Sequence, residues 1–349
     1  MLERKIIDLG INAATGTALT TYNLRADEVN DAFRAELNEM IGTKELFRKN
    51  KLDVYTLIEE VADVVVPKRV LETMGTFIDS KTFKHNEKPV FRRRLGRQRA
   101  KSTFVTKAAR AGVYETFRLD TEEIEIPTLV HGGAARISLQ DVLTGDVNMA
   151  EVMDIILEGL VDAVYNEVQM ALLASYNNTK RPTNTKVSVS AYDHQALVNL
   201  INTIEAYGPS VVMTTKTFGG YMRPTAGAVA TFNPNVSLDD LKDLRETGLI
   251  QIVNGAPVIA LPQSFTDETH AATVINPRVA YVFPSGGAAS EKVVKLAFEG
   301  GTLVSEYVNT DDSMDIKAHR KFGIGLLNNN SWGIYENKAI VDTGWAKLT

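Results

Sequence analysis

The amino-acid sequence predicts an α+β fold with one long helix, an extended basic hairpin and an inserted α/β unit. Apolar residues recur with a helical period across residues 149–176. Alternating and β-branched runs, which are typical of strands, dominate residues 291–337. Residues 187–290 mix both patterns. A chain of 349 residues is long enough for two or three packed units.

The N-terminal region, residues 1–79, is predicted to contain an arm followed by helices. Residues 1–24 are mostly small and polar near their end, and we expect them to form an extended or weakly ordered arm. Asp27 is a candidate N-cap, after which apolar residues recur every three or four positions as far as Gly42. This spacing predicts an amphipathic helix.

A second helix is predicted from the apolar set that runs from Val54 to Val66. Pro67 follows directly, and proline lacks the backbone N–H that a helix interior requires. We therefore expect the helix to break or kink at Pro67, and residues 69–77 to form a separate short turn.

The charge of the chain is concentrated in one window. Residues 81–110 contain eleven lysines and arginines but only one acid, Glu87, a balance of +10, so the other residues carry −15 of the net charge of −5. Residues 88–95 and 113–127 have strand character, and the turn-like residues 96–101 lie between them. We interpret this segment as a long hairpin with a basic tip, the alternative being a solvated loop. A segment of this length in a compact domain indicates a partner.

The strongest helix in the sequence covers residues 149–176, which corresponds to a length of about 40 Å. One side of it is predicted to be apolar: Val152, Ile155, Ile156, Leu160, Ala163, Val164, Val168, Ala171 and Leu172. The opposite side is predicted to be acidic: Glu151, Asp154, Glu158 and Asp162. A helix of this length is expected to support a domain rather than connect two domains.

The region after the long helix predicts a small α/β unit and then a strand-rich end. A helix is expected over residues 191–207, a buried strand over 210–214, and a hairpin turn at Asn254–Gly255. The other predicted elements are a capped helix opening at Ser237, strands at 249–253, 257–261, 272–275 and 279–283, and closing strands at 293–298, 303–307, 315–322 and 331–336.

The composition excludes several kinds of chemistry. The chain has no cysteine, which excludes disulfides and thiolate chemistry, and its five histidines are scattered without metal-ligand spacing. Phosphate-binding, zinc-protease and serine-hydrolase motifs are absent. Gly323-Ile324-Gly325 begins like a dinucleotide-binding motif but lacks its third glycine, and we interpret it as a bend in a strand. We predict no cofactor, no metal, no catalytic residue and no membrane span.

The order of these units resembles the HK97-type major capsid proteins of tailed bacteriophages. Two local sequences add to the resemblance: Arg136–Leu143 before the long helix, and Met314–Gly323 followed by Trp332-Gly333-Ile334-Tyr335. The resemblance implies an HK97-like fold with four parts: an N-terminal arm with helices (1–79), an extended hairpin called the E-loop (80–127), a peripheral domain with its spine helix (128–186 and 289–349) and an axial domain (187–288). It implies a structural protein and not an enzyme.

The resemblance also implies the partners. The chain would be made in the host cytoplasm and would assemble with itself, through hexamers and pentamers, into the icosahedral virion head that encloses double-stranded DNA. Its other expected partners are a separate scaffolding protein, a portal, in some members a decoration protein, and packaged DNA that is contacted non-specifically. Some family members link subunits covalently, but no lysine–asparagine pair can be assigned from this sequence.

The candidate contact residues between subunits follow from the uneven charge. We expect basic residues of the hairpin to meet acids on a neighbouring subunit, and the bases are Arg92, Arg93, Arg94, Arg97, Arg99 and Lys101. One candidate acidic surface is the long helix, with Glu151, Asp154, Glu158 and Asp162, and the run Asp120–Glu125 is another. Three alternatives stay open. They are a nucleic-acid-binding protein that uses the basic hairpin, an encapsulin-like nanocompartment shell, and an enzyme of unrecognised type.

Overall fold

The structure is a computed structural model. It describes residues 4–19, 22, 24–41, 43–94, 121–138, 149–176, 182–222, 250–285, 292–308, 313–326 and 331–345. The α-helices in these ranges are α1 (Arg4–Thr15), α2 (Ala26–Ile41), α3 (Lys44–Met74), α4 (Met149–Ala174), α5 (His194–Glu205) and α6 (Lys216–Tyr221).

The strands form three sheets. In chain order they are β1 (Ile78–Phe83), β2 (Val90–Arg94), β3 (Thr121–Glu125), β4 (Leu129–Ser138), β5 (Lys186–Val189), β6 (Ser210–Thr214), β7 (Ile252–Val253), β8 (Ala256–Ala260), β9 (Val279–Pro284), β10 (Val294–Val308), β11 (Ser313–Leu326) and β12 (Gly333–Asn337). The first sheet has the order β1-β10-β11-β4, the second β5-β12-β9-β6-β8-β7, and β2 and β3 form a two-stranded sheet. The predicted α+β class is confirmed.

The N-terminal segment is helical and not an extended arm. Helix α1 buries Ile6, Leu9 and Ala14 in the main core, so the prediction of an arm is wrong for residues 4–15. Its Gly10 lies so close to α2 and α3 that an added Cβ would be 2.9 Å from Val61 Cγ2. The arm was predicted because of the small polar residues that follow this short helix, although apolar residues at its start recur with a helical period.

Helix α3 continues through Pro67 to Met74, so the predicted break is wrong and residues 69–74 are part of the same helix. Arg320 from β11 contacts the turn just before Pro67, because its Nη1 donates a hydrogen bond of 3.0 Å to the carbonyl of Ala62. The same guanidinium lies 3.6 Å from the Asp63 carboxylate. The carbonyl that loses its helical donor at Pro67 is that of Asp63, so Arg320 holds the adjacent part of the helix and does not replace the missing hydrogen bond.

The long helix α4 is confirmed and lies in the main core, where it packs against α3, β4 and β11. Its most deeply buried side chains include Leu157, Val164 and Val168. The predicted apolar face is correct except at Ile155, whose side chain is 61% exposed. The buried face is wider than predicted, because Met153, Leu157 and Val161 are buried as well.

The second sheet corrects one predicted domain boundary. Helix α5, strands β6 to β9 and the turn at Asn254–Gly255 lie where the sequence predicts them, and both turn residues have positive φ angles, 49° and 81°. Residues 272–275 form only two isolated bridges, from Thr273 to Phe265 and from Thr273 to Gly344. Strand β12, which the sequence assigns to the peripheral part (289–349), lies between β5 and β9 in this sheet. The sequence-based boundary therefore removes an internal strand from the unit at 187–288.

The first sheet buries a charge pair beside the hairpin. Asp79 and Lys295 are direct partners in the parallel register of β1 and β10, and Lys295 Nζ donates to Asp79 Oδ2 over 2.8 Å. The Lys295 side chain is fully buried. Burial lowers the pKa of Lys295, while the hydrogen bond and charge of Asp79 oppose that shift. The pair therefore depends on both partners being present.

We expect a fragment of residues 187–288 to lack a cooperative unfolding transition, because it lacks β12 from the middle of its sheet. Joining residues 182–285 to 331–345 through a short linker should restore a sharp thermal transition. Circular dichroism melts of the two fragments test this. A sharp melt of the shorter fragment would show that the sheet is stable without β12.

Replacing Asp79 with alanine should destabilise the chain by about 3–5 kcal/mol, because the buried Lys295 ammonium loses its compensating carboxylate. The matched control is Glu72→Ala, which removes the partner of Lys68 at 4.0 Å in an exposed pair. That change should cost about 0–1 kcal/mol. Urea unfolding measures both values, and equal losses would contradict the prediction.

Candidate intersubunit contact site

The base of the predicted basic hairpin is an antiparallel pair of strands. Arg92 lies opposite Glu123 in the register of β2 and β3, and Arg93 lies opposite Glu122. The predicted hairpin is therefore confirmed over these two strands. Its tip and the predicted strand at 113–117 lie outside the described residues, as do three candidate contact residues: Arg97, Arg99 and Lys101.

The hairpin carries its own acids opposite its bases. Arg92 Nε donates to Glu123 Oε1 over 2.8 Å, and Lys88 Nζ lies 3.4 Å from Glu125 Oε2. All four side chains are exposed, so each pair contributes only about 0–1 kcal/mol. Arg92, a predicted contact residue, thus has a carboxylate partner in its own chain, and that partner must be shared or exchanged when a neighbour binds.

Apolar packing holds the root of the hairpin on the first sheet. Phe91 and Ile126 are almost completely buried and form a small cluster with Ala297 of β10. The ring of Phe91 packs edge to face with Phe83, with centroids 5.7 Å apart. Lys81 Nζ lies 5.2 Å from the centroid of the Phe91 ring. The β2–β3 hairpin therefore extends from a base that is packed on the first sheet.

One carboxylate binds both ends of the hairpin root. Glu299 accepts hydrogen bonds from the backbone N–H of Asn86, which precedes β2, and from the hydroxyl of Thr128, which follows β3. Lys321 Nζ lies 3.5 Å from the same carboxylate. The hydrogen bond from Thr128 is the main reason that the pKa of Glu299 is lowered. The ionised form of Glu299 therefore fixes where the hairpin begins and ends.

Two glycines of β11 make room for this root, and the interpretation of Gly323 and Gly325 as a strand bend is wrong. Both stay in regular register with β10, opposite Ala297 and Lys295. A Cβ at Gly323 would overlap the carbonyl of Pro127, and one at Gly325 would be 2.8 Å from Ile126 Cδ1. The sequence alone did not show that another segment crosses the strand at these positions.

The predicted acidic face of α4 is present on the outside of the molecule. Glu151, Asp154 and Glu158 are exposed, and Ile155, which the sequence placed in the core, lies among them. Asp162 differs, because it is half-buried and accepts a hydrogen bond of 2.8 Å from Ser264 Oγ. Burial raises the pKa of Asp162, and that hydrogen bond opposes the shift. Three of the four predicted acids therefore remain on a surface that also exposes a large apolar side chain.

Within the described residues, no group of histidines and acids could hold a metal ion. Over the same part of the chain, no helix has the length and hydropathy to span a membrane. The arrangement consists of a basic, sheet-anchored hairpin and a separate acidic helix face.

A comparison with protein families assigns the chain. The sequence model of one family, described as "YonB: SPbeta prophage-derived putative capsid protein YonB", matches residues 9–336, which is almost the whole length. The chain belongs to this family. As a YonB-family protein it is a structural subunit of a phage capsid, located in the virion and assembling with its own copies. The predictions of a phage capsid protein and of a structural protein rather than an enzyme are confirmed.

Solved structures similar to this YonB-family chain include two phage capsids and an encapsulin. The cyanophage P-SCSP1u capsid is 11% identical, with a TM-score of 0.48, over 75% of this chain and 87% of that one. The mature capsid of bacteriophage PhiM1 is 9% identical (TM-score 0.47; 76% and 87%). The SrpI encapsulin complex of Synechococcus elongatus is 10% identical (TM-score 0.42; 76% and 85%). With TM-scores below 0.5, these likenesses carry no further conclusion. No curated protein matches the sequence.

Replacing Gly323 with alanine should loosen the hairpin root, because the new Cβ would collide with the backbone of Pro127. We expect a lower unfolding temperature and faster hydrogen exchange in β2 and β3. Gly133→Ala is the matched control, since a Cβ there has no described atom within 4 Å. Equal behaviour of the two variants would show that the close approach at Gly323 does not hold the root.

Proposed function

We propose that this YonB-family chain is the HK97-type major capsid subunit, forming hexamers and pentamers that close into an icosahedral head around double-stranded DNA. In this proposal the basic hairpin of one subunit lies on the acidic face of a neighbour's α4. The observation that carries it is the separation of two complementary surfaces on one chain. One is a basic hairpin with a fixed root, and the other is an exposed acidic helix face.

A fixed root favours binding between subunits. The hairpin root is held by Phe91, Ile126 and the Glu299 carboxylate, so the strands that leave it have a defined direction. A surface that is already ordered loses less conformational entropy when it binds. A flexible basic tail could bind acidic surfaces in many orientations. A closed shell instead requires the same contact geometry at every equivalent interface.

The charges also favour subunit contacts over self-contacts between hairpins. Residues 81–110 carry a balance of +10 and the rest of the chain −15. Hairpins of two copies therefore repel one another and are attracted to other surfaces of a neighbour. Each exposed ion pair contributes only about 0.2–1 kcal/mol, but the contact repeats at every equivalent position of a shell.

We assign the four parts of the HK97-type subunit as follows. The first sheet with α4 corresponds to the peripheral domain, and β2–β3 to the base of the E-loop. The second sheet corresponds to the axial domain, which gathers around the symmetry axes and includes β12. Helices α1 to α3 form the N-terminal part.

The proposed partners other than the chain itself are a scaffolding protein, a portal, a decoration protein and packaged DNA. A phage head that fills with DNA requires control of its size and an entry point for the DNA. The scaffolding protein would supply the first and the portal the second. Packaged DNA is proposed to be contacted only non-specifically, and not through the basic hairpin. Negative-stain micrographs of the purified chain, alone and with candidate scaffolding proteins of its prophage, test for shells. Only monomers and dimers at all salt concentrations would refute the proposal.

The triple variant Arg92→Glu, Arg93→Glu and Arg94→Glu should fold but fail to assemble, or assemble only at higher salt. The reason is that reversed charges on the hairpin repel the neighbour's Glu151, Asp154 and Glu158. Light scattering and sedimentation measure assembly, and circular dichroism measures folding. The matched control replaces three other exposed bases with glutamate: Arg25 before α2, and Lys49 and Lys68 in α3. It carries the same net charge and should assemble normally.

Arg92 requires one more control because it pairs with Glu123 in the same hairpin. Adding Glu123→Arg to the triple variant keeps an ion pair across β2 and β3, and this variant should still fail to assemble. Reversing Glu151, Asp154 and Glu158 to lysine in the triple variant should partly restore assembly. Normal assembly of the triple variant with loss of DNA packaging would show that the hairpin faces the genome instead.

A further inference from the structure

Helix α4 and the turn after it contact the second sheet and its loops through three polar side chains. These are seven residues apart, close to two helical turns, and so lie along one side: Asp162, Gln169 and Tyr176. They bond, in the same order, to Ser264, Asn276 and Glu336. In the middle contact, Gln169 Oε1 accepts a hydrogen bond of 2.9 Å from the backbone N–H of Asn276. The amide nitrogen of Gln169 is therefore left to bind another group.

A cavity lies beside Gln169, between α4 and β9. Its walls include Tyr165 and Leu172 of α4, and Tyr281 and Phe283 of β9. The end of α3 and the loop between β8 and β9 complete the walls. The cavity has a volume of about 10 Å³. That volume gives room for one water molecule and for no larger ligand.

Two buried polar atoms line this cavity and have no hydrogen-bond partner among the described residues. They are Gln169 Nε2, on the α4 side, and the Tyr281 hydroxyl, on the β9 side. The two residues are only 3% and 2% exposed. Buried polar groups of folded proteins are nearly always bonded to protein or to ordered water, because leaving them unpaired is costly. Both atoms therefore point to a small polar ligand.

The chemistry of these atoms selects water. The Gln169 amide nitrogen only donates, whereas a hydroxyl both donates and accepts, so the ligand must accept from one and exchange a hydrogen bond with the other. Burial raises the pKa of Tyr281, so its hydroxyl keeps its proton. Tyr165 offers a third contact, since its hydroxyl donates to Thr73 Oγ1 over 3.0 Å and retains lone pairs. Buried water molecules typically make about three such bonds.

We propose that this cavity is a binding site for one water molecule, which Gln169 Nε2 and the Tyr281 hydroxyl hold between α4 and β9. The side chain of Gln169 then links three groups: the Asn276 backbone through its oxygen, and the water and Tyr281 through its nitrogen. Gln169 and Tyr281 are thus positioning residues that fix β9 on the long helix. The site lies within one chain, so it does not depend on the proposed assembly.

A crystal structure of the chain, or a map of its assembled shells, at a resolution that shows ordered water tests the site directly. We expect one density peak within about 2.7–3.2 Å of both Gln169 Nε2 and the Tyr281 hydroxyl oxygen. A cavity without density, at a resolution where other buried water is visible, would overturn the inference. A direct hydrogen bond between the two side chains would overturn it as well.

A double-mutant cycle tests whether the two residues act through the water. Tyr281→Phe should raise the unfolding equilibrium constant on the order of tenfold in the natural chain, measured by urea unfolding. In a Gln169→Met background the same change should have almost no effect, because the water has already lost its other main partner. The Asn276 N–H loses its acceptor in both members of that background, so this loss cancels. Equal effects of Tyr281→Phe in the two backgrounds would contradict the inference.

Tyr335→Phe is the matched control for the cycle. Tyr335 is also a buried tyrosine of the second sheet, but its hydroxyl donates to the Asp193 carbonyl and it lies in the other core cluster. Its effect should be the same with and without Gln169→Met, since distant sites are additive. A coupling as large as that of Tyr281 would count against the water, because it would show that Gln169→Met acts on the whole sheet.

Discussion

The structure depends on the burial of one face of the β10–β11 ribbon against α3 and α4. Leu296, Phe298, Ile316 and Phe322 of the ribbon lie in the same core as the inner side chains of both helices. Apolar burial of this extent is the dominant stabilising contribution in a chain that has no cysteine and therefore no disulfide. Because the ribbon is internal to the first sheet, every other part of the subunit is positioned relative to it.

Polar groups make this packing specific. Arg320, which is almost completely buried, donates to the carbonyl of Ala62 and places its guanidinium 4.4 Å from the ring of Phe298. It therefore connects the ribbon to the one part of α3 that contains a proline. Lys295 of the ribbon and Asp79 of β1 connect these two strands in a similar way. Apolar residues at these two positions would pack with less geometric selection.

The same core also holds the base of the β2–β3 hairpin. The hairpin root uses the ribbon directly, through Ala297, Glu299 and the two glycines of β11. The root is therefore fixed on the core, whereas the charged side chains of the hairpin, including Arg92 and Glu123, are exposed. Rigid geometry combined with many weak surface contacts is what a closed shell requires, since each contact must be reversible until the shell is complete.

Periodicity and charge were readable in the sequence because both depend on neighbouring residues. They predicted α4, the strands of the ribbon, the turn at Asn254–Gly255 and the two arms of the hairpin. They also predicted which side of α4 carries Glu151, Asp154 and Glu158. The resemblance to capsid proteins came from the order of these units, and the family match confirms it.

Contacts between distant residues decided the rest. Helix α3 passes Pro67 with support from Arg320, more than 250 positions away, and β12 joins a sheet whose other strands precede it by about fifty residues or more. Gly323 is required because Pro127 crosses it, and Glu299 is a root contact because Asn86 and Thr128 meet there. The sequence by itself determined the elements and the charge of their surfaces. Only the tertiary structure decided which elements pair, because the energy of a pairing depends on atoms that the local pattern does not contain.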